Sequence, residues 1–125
     1  MTTTWTSDEL ERIGAADELE LASRRADGTL RSFVTIWVVR SGDAIYIRSA
    51  HGPDNAWFRR ALASGAGRIR AGGVERDVAF AVPASDVHAA LDAVYRSKYA
   101  SYPVEYVDPV ADGLAATATL LVTPA

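Results

Sequence analysis

Phe33-Val34-Thr35-Ile36-Trp37-Val38-Val39, the turn Ser41-Gly42-Asp43 and the run Ala44-Ile45-Tyr46-Ile47-Arg48-Ser49 decide how the chain folds. The first run is β-branched and aromatic on both faces, so it is expected to be the most buried strand. In the second, Ile45, Ile47 and Ser49 share one face while Tyr46 and Arg48 share the other, the period-2 alternation of a strand with two environments. Two such runs joined by a glycine-containing turn predict a β-hairpin.

Upstream, Leu19-Glu20-Leu21-Ala22-Ser23 alternates in the same way, and Ala26-Asp27-Gly28-Thr29 supplies a turn into the next strand, which predicts another hairpin. Before it, Thr6-Ser7-Asp8-Glu9-Leu10-Glu11-Arg12-Ile13 opens like a short helix, with Thr6 as N-cap and Glu9 as its capping-box partner. Downstream, the loop Ala50-His51-Gly52-Pro53-Asp54-Asn55 leads into a helix from Trp57 to Ala63, capped by Asp54 or Asn55 and stopped by Gly65. Short strands follow at Arg68-Ile69-Arg70 and from Val74 to Val82, joined by Gly72-Gly73. Ser85 is the expected cap of the longest helix, along which Val87, Ala90, Leu91, Val94, Tyr95 and Lys98 recur at helical spacing. After Pro103 and Pro109, residues Leu114 to Val122 read as a last strand. About six mainly antiparallel strands with three helices, in one domain over residues 1–125, predict an α+β fold with an antiparallel sheet or small barrel.

Composition narrows the chemistry. Of 125 residues, 49% are apolar and 23% charged, an ordinary globular balance. There is no cysteine, which excludes a disulfide scaffold, a thiolate metal site and a cysteine nucleophile. Met1-Thr2-Thr3-Thr4-Trp5 has neither a basic region nor an apolar run, so neither a secretory signal nor a membrane span is expected and the protein reads as cytoplasmic. A net charge of −3 gives no reason to expect nucleic acid or an anionic membrane as partner. The distribution of charge is more informative: residues 24–76 hold ten bases and four acids, whereas the flanking segments are acidic. Two readings are open. The arginines alternate outward along solvated strands, or some of them converge on an anionic ligand.

Most catalytic signatures are missing. His51 and His88, the only histidines, have no metal-ligand spacing, so no metal site is expected and His88 reads as a surface or boundary residue. No phosphate-binding loop or nucleophile elbow occurs, and the acidic pairs fall where capping and solvation explain them. What survives is Arg48-Ser49-Ala50-His51-Gly52-Pro53-Asp54-Asn55-Ala56-Trp57-Phe58-Arg59-Arg60. Here a strand delivers a serine, a Gly-Pro loop leaves backbone accessible, and a helix N-terminus follows, an arrangement able to hold a phosphate. A plain strand-to-helix connection with Trp57 as core anchor is the alternative.

The run from Gly42 to Ser49, the Gly-Pro loop and Trp57-Phe58-Arg59-Arg60-Ala61-Leu62 resemble the flavin- or deazaflavin-dependent nitroreductases built on the pyridoxamine-phosphate-oxidase split β-barrel. Arg24-Arg25-Ala26-Asp27-Gly28-Thr29-Leu30-Arg31, leading into Thr35-Ile36-Trp37, resembles that family's basic hairpin and following strand. A still closer resemblance is to an uncharacterised bacterial domain-of-unknown-function family of about this length, through the SDEL start, the TIWVV strand and the GPDN-WFRRAL segment.

This resemblance implies a split barrel that binds FMN or the 8-hydroxy-5-deazaflavin coenzyme and transfers hydride to an unidentified small molecule. It implies phosphate contacts from Ser49, from the backbone at His51 and Gly52, and from Arg24 or Arg31, within an arginine-rich segment that includes Arg48 and Arg60. It places Trp57 beside the site and Thr35 and Trp37 near the ring, and it implies a homodimer. His51 or a tyrosine between Tyr95 and Tyr102 is expected to face the substrate. Two positions depart from the better-known members: Ala50 stands where a basic residue usually follows the serine, and Arg60 where asparagine is usual. Two other readings remain, a non-catalytic module that binds a small ligand on the same barrel, and a subunit that completes another protein's active site.

Overall fold

The computed structural model describes residues 4–50 and 52–125. Helix α1 (Ser7–Ala15) starts at the expected capping box: the Glu9 N–H donates to Thr6 Oγ1 and the Thr6 N–H to Glu9 Oε1. Strand β1 (Glu18–Ser23) pairs antiparallel with β2 (Val34–Trp37) in the predicted first hairpin, and β3 (Val39–Ser41) with β4 (Ala44–Arg48) in the second. Helix α2 (Ala56–Ser64) ends at Gly65, whose φ of 67° lies in the left-handed region that glycine enters without steric cost. There follow β5 (Ala66–Ala71), β6 (Val74–Ala81), a 3₁₀ turn (Ser85–Val87), α3 (His88–Lys98), α4 (Val104–Ala111), a second 3₁₀ turn (Gly113–Ala118) and β7 (Thr119–Pro124).

The strands form one antiparallel sheet in the order β2-β1-β5-β6-β7-β4-β3. Its two edges, β2 and β3, are consecutive in the chain and separated only by Val38. The sheet therefore curls until its edges meet at one residue, giving a split barrel with a seam at Val38. Seam backbone cannot be left unpaired in a buried position. The Val38 N–H donates to Tyr99 Oη at 3.1 Å, and the Val38 carbonyl accepts from Lys98 Nζ at 2.6 Å. Tyr99 Oη also lies 3.0 Å from the Val38 carbonyl oxygen and 2.6 Å from that of Asp17. The end of α3 thus supplies what a neighbouring strand supplies elsewhere.

Alternation along β4 divides the apolar residues into two cores. Ile45 and Ile47 point into the barrel, where they meet Leu10, Ile13, Leu19, Leu21, Phe58, Ile69, Val78, Phe80, Leu120 and Val122. Tyr46 points outward, into a second core with Val39, Leu91, Tyr95, Tyr99, Val107, Val110 and Ala111, through which α3 and α4 cover the outer face. Each large aliphatic side chain buried in this way contributes about 1.5–3 kcal/mol.

Four expectations are corrected. Residues 33–39 are not the most buried strand; they form two short edge strands around the seam, and β4 is more deeply buried. Their two-sided apolarity has a different origin: Val34, Ile36 and Val38 face the barrel, while Trp37 and Val39 are covered by the outer helices. Ser85 caps nothing with its side chain, because a 3₁₀ turn capped by Ala84 precedes α3. Residues 113–118 form a 3₁₀ turn, so the last strand begins only at Thr119. Among the described residues there are seven strands and four α-helices, the extra helix being α4, which runs where two prolines signal a break. Pro103 is the N-cap, where a missing N–H costs nothing, and Pro109 removes a single bond inside the helix.

The second core has a pH signature. The Tyr95 hydroxyl is buried with no hydrogen-bond partner among the described residues, and burial raises its pKa far above the ordinary 10.0. Burial also raises that of Tyr99. In the unfolded chain both phenols lose their protons near pH 10, whereas the native chain keeps them. The unfolded state then binds fewer protons, so stability falls as pH rises past 10, by about 1.4 kcal/mol per pH unit for each phenol. Tyr95→Phe is expected to leave the melting temperature at pH 7 unchanged or slightly raised, since no bond is lost, and to make the alkaline fall shallower. Melts between pH 7 and 11 check this; a drop of several degrees at pH 7 would mean that the hydroxyl is bonded.

Candidate functional site

The turn between β1 and β2 and the outer face of α2 enclose a cavity of about 680 Å³ lined by Arg24, Arg25, Arg31, Arg59 and Arg60 over a floor of alanine, glycine and serine. Small residues leave the space open, and the five guanidinium groups give it its charge. They are not equivalent. Arg24 donates to the Gly28 carbonyl at 2.8 Å and pairs with Asp77 at 2.9 Å, and Arg25 donates to the Leu30 carbonyl and Thr29 Oγ1. Arg31, Arg59 and Arg60 have no side-chain hydrogen bond or ion pair among the described residues. Three permanent cations are thus available to an anion, each with planar, forked donors.

A second cavity, of about 550 Å³, is lined by Thr35, Ile36, Trp37, Asn55, Trp57, Tyr102 and Tyr106, with Glu18, Arg48, Ala50 and Val110 completing the wall. Tyr99 stacks on Trp37 with ring centroids 3.9 Å apart and planes within 4°. Trp57 packs edge-on against the buried Phe58. The first turn of α2 stands between the two cavities, for Ala56 lines the arginine cavity while Asn55 and Trp57 line the aromatic one.

Arg48 borders the aromatic cavity, yet its guanidinium is committed inward, and the residue is only 2% exposed. It donates from Nε to Thr119 Oγ1 at 3.0 Å and from its terminal nitrogens to the Val110 carbonyl at 2.8 Å, to Asp92 and to His88 Nδ1 at 3.2 Å. A guanidinium has only donors, so His88 presents the lone pair of Nδ1 and carries its proton on Nε2. This one side chain ties β4 to β7, α3 and α4.

The structure therefore divides the expected site residues into two groups. Arg24, Arg31 and Arg60 meet in the arginine cavity, and Thr35, Trp37, Trp57 and Arg48 meet in the aromatic one. Ser49 and Gly52 line neither: both are buried, and the Ser49 N–H donates to the Ala118 carbonyl. His51 lies outside the described residues. Of the tyrosines expected to face a substrate, Tyr102 lines the aromatic cavity, whereas Tyr95 and Tyr99 are fully buried. Sequence reasoning missed Arg25, Arg59, Asn55 and Tyr106 as lining residues. Arg59 was legible as the neighbour of Arg60, but Tyr106 was hidden by the prolines on either side. Within the basic segment, five arginines line one cavity, while Arg68 and Arg70 pair outward with Asp77 and Glu75 across β5 and β6.

A family model described as "Uncharacterized protein conserved in bacteria (DUF2255)" matches residues 9–122. No curated protein is matched. A solved structure titled "F420 Reductase" superposes with a TM-score of 0.56 at 14% identity, covering 91% of this chain and 89% of that one. A "Putative Pyridoxamine 5'-phosphate oxidase" from Listeria innocua does so with a TM-score of 0.59 at 9% identity, covering 93% of this chain and 88% of that one. An "FAD and Heme binding protein" from Mycobacterium smegmatis gives 0.56 at 17% identity, covering 98% and 67%. At these identities the likeness is one of fold, the split barrel.

Proposed function

The chain belongs to this bacterial DUF2255 family, and we propose that residues 1–125 act as one split-barrel domain that binds FMN or the 8-hydroxy-5-deazaflavin coenzyme. The observation that carries this reading is the pair of cavities on either side of the first turn of α2, one with three guanidinium groups that have no side-chain partner among the described residues and one walled by aromatic rings. Arg31, Arg59 and Arg60 hold the cofactor's phosphate, each charge-assisted bond contributing about 1.5–3 kcal/mol. Trp37 and Trp57 flank the ring system, Thr35 and Asn55 offer hydrogen bonds to its polar edge, and Tyr102 and Tyr106 keep water from its face. When bound, such a cofactor supplies hydride transfer, and the protein's part is to place and shield it. No acid–base pair is required of the chain, which accords with a cavity wall whose ionisable groups are Glu18, Arg48 and two tyrosines.

The same reading includes a cytoplasmic homodimer acting on a small-molecule substrate. Supporting it, no described helix is long and apolar enough to cross a membrane. Val104, Tyr106 and Leu114 are each more than 60% exposed, and Tyr106 also lines the aromatic cavity, exposed apolar groups of the kind a second copy would cover. A second reading, a non-catalytic module that holds a small ligand, draws support from the commitment of Arg48 to internal bonds, which leaves the aromatic cavity without a free cation among the described residues.

Titrating the purified protein with FMN, and separately with the deazaflavin, tests both. Quenching or shift of either chromophore with a dissociation constant of about 10 μM or below is expected. No change at tens of micromolar protein sinks the cofactor assignment. Binding without turnover of any added acceptor favours the non-catalytic module.

A further inference from the structure

We infer that Tyr99, which lines neither cavity, is a positioning residue that sets the plane of the Trp37 indole for a flat aromatic ligand; the inference rests on the reading of the aromatic cavity just given. Trp37 is the last residue of β2 and pairs with Glu18 of β1, so the strand sets the direction in which its side chain leaves the backbone but not the plane of its ring. What fixes that plane is Tyr99. The two rings are parallel to within 4° at 3.9 Å, so Tyr99 is stacked on one face of the indole. Tyr102 lies 4.9 Å from Trp37 and 5.8 Å from Tyr99. With the 3.9 Å stack, these separations make a near right angle at Trp37, which puts Tyr102 at the edge of the indole. The opposite face is then left for the cavity that Trp37 lines.

Tyr99 can impose this plane because it cannot itself turn. Its ring is fully buried and its hydroxyl is held by the backbone of Val38 and Asp17. The preceding residue, Lys98, is tied to the carbonyls of Ala16 and Val38. A stacking surface already held in its bound orientation loses little side-chain freedom when a ligand arrives. Tyr99 thereby couples the closure of the barrel to the recognition of a planar ring.

The test compares Tyr99→Leu, which removes the plane and the hydroxyl, with Tyr99→Phe, which keeps the plane. Riboflavin probes the ring alone, and inorganic pyrophosphate probes the arginine cavity. Tyr99→Leu is expected to weaken riboflavin about tenfold, with pyrophosphate affinity unchanged within twofold, and to lose the near-ultraviolet circular dichroism of the stacked pair. Tyr99→Phe is expected to melt lower but to bind riboflavin within about threefold of wild type. Wild-type riboflavin affinity in Tyr99→Leu, or equal losses for riboflavin and pyrophosphate, overturns the role of Tyr99. Should Tyr99→Leu not fold, a tenfold loss in Tyr99→Phe overturns it, because the stack would then not be what orients the indole. A wild-type protein that binds no riboflavin removes the cavity reading and the positioning role together.

Discussion

Arg60→Glu is expected to bind FMN about a hundredfold more weakly than wild type while melting within about 2 °C of it. Arg60 is an exposed residue on α2 with no side-chain partner among the described residues, so its replacement disturbs no packing and lies within the small range typical of surface substitutions. Its environment is nonetheless strongly cationic, for it shares its cavity with four other arginines. Charge reversal removes one charge-assisted bond to a phosphate, about 1.5–3 kcal/mol, and adds repulsion at close range. Together these reach the roughly 2.7 kcal/mol that a hundredfold change in affinity requires. Arg12→Glu is the control: Arg12 is also cationic and exposed, but it pairs with Asp8 on α1, outside the cavity. Flavin fluorescence titrations at one fixed salt concentration, with thermal melts of the same preparations, separate the outcomes. Equal losses of affinity and stability in Arg60→Glu would make Arg60 a structural residue. Equal weakening by Arg12→Glu would mean that net charge, and not the cavity, is being measured.

Arg48→Ala is expected to show the reverse pattern, a loss of about 3–5 kcal/mol in stability and a fall of about 10–20 °C in melting temperature. Arg48 has no exposed side-chain surface and sits where β4, β7, α3 and α4 meet. Its removal strands the buried Val110 carbonyl, takes the donor from the half-buried His88 Nδ1, opens a cavity beside the ring of Tyr95 and breaks the link between the barrel and its outer helices. Asp92 can be rehydrated because its side chain is 39% exposed, which keeps the loss at the level of one broken buried network. Arg48→Lys recovers only part of it, since an ammonium cannot reproduce donors that point in several fixed directions from one plane. A melting temperature within 2 °C of wild type for Arg48→Ala would mean that the helices are held by apolar packing alone.

These two arginines are 12 positions apart in one basic segment, one on a strand and one on a helix, and nothing local says which is spent on internal bonds. Alternation along β4 does put Arg48 on the face of Tyr46 and away from Ile45 and Ile47, as the sequence predicts. What that face meets is decided by α3, α4 and β7, whose bonding residues lie 40 to 71 positions away. The same holds for Arg24, which looks equivalent to its neighbours until Asp77, 53 positions on, is brought beside it. Ser49, at the end of an alternating strand, was expected at a phosphate site; burial under the turn before β7 removes it from both cavities.

By itself, the sequence determined the parts of this protein whose causes lie within a few residues: the capping box of α1, the left-handed stop at Gly65, the two hairpins and the register of inward and outward faces. It also carried enough of a family pattern to point to the split barrel. Tertiary structure alone decided that the apolar run at 33–39 is broken at Val38 into the two edges of the sheet, that α4 forms between two prolines, and which cations gather in a cavity and which are spent on internal pairs. The physical reason is one of range. Backbone sterics and periodicity act between near neighbours and leave their trace in the order of residues, whereas closure of a sheet and the partner of a charge depend on segments that only folding brings within a few ångströms.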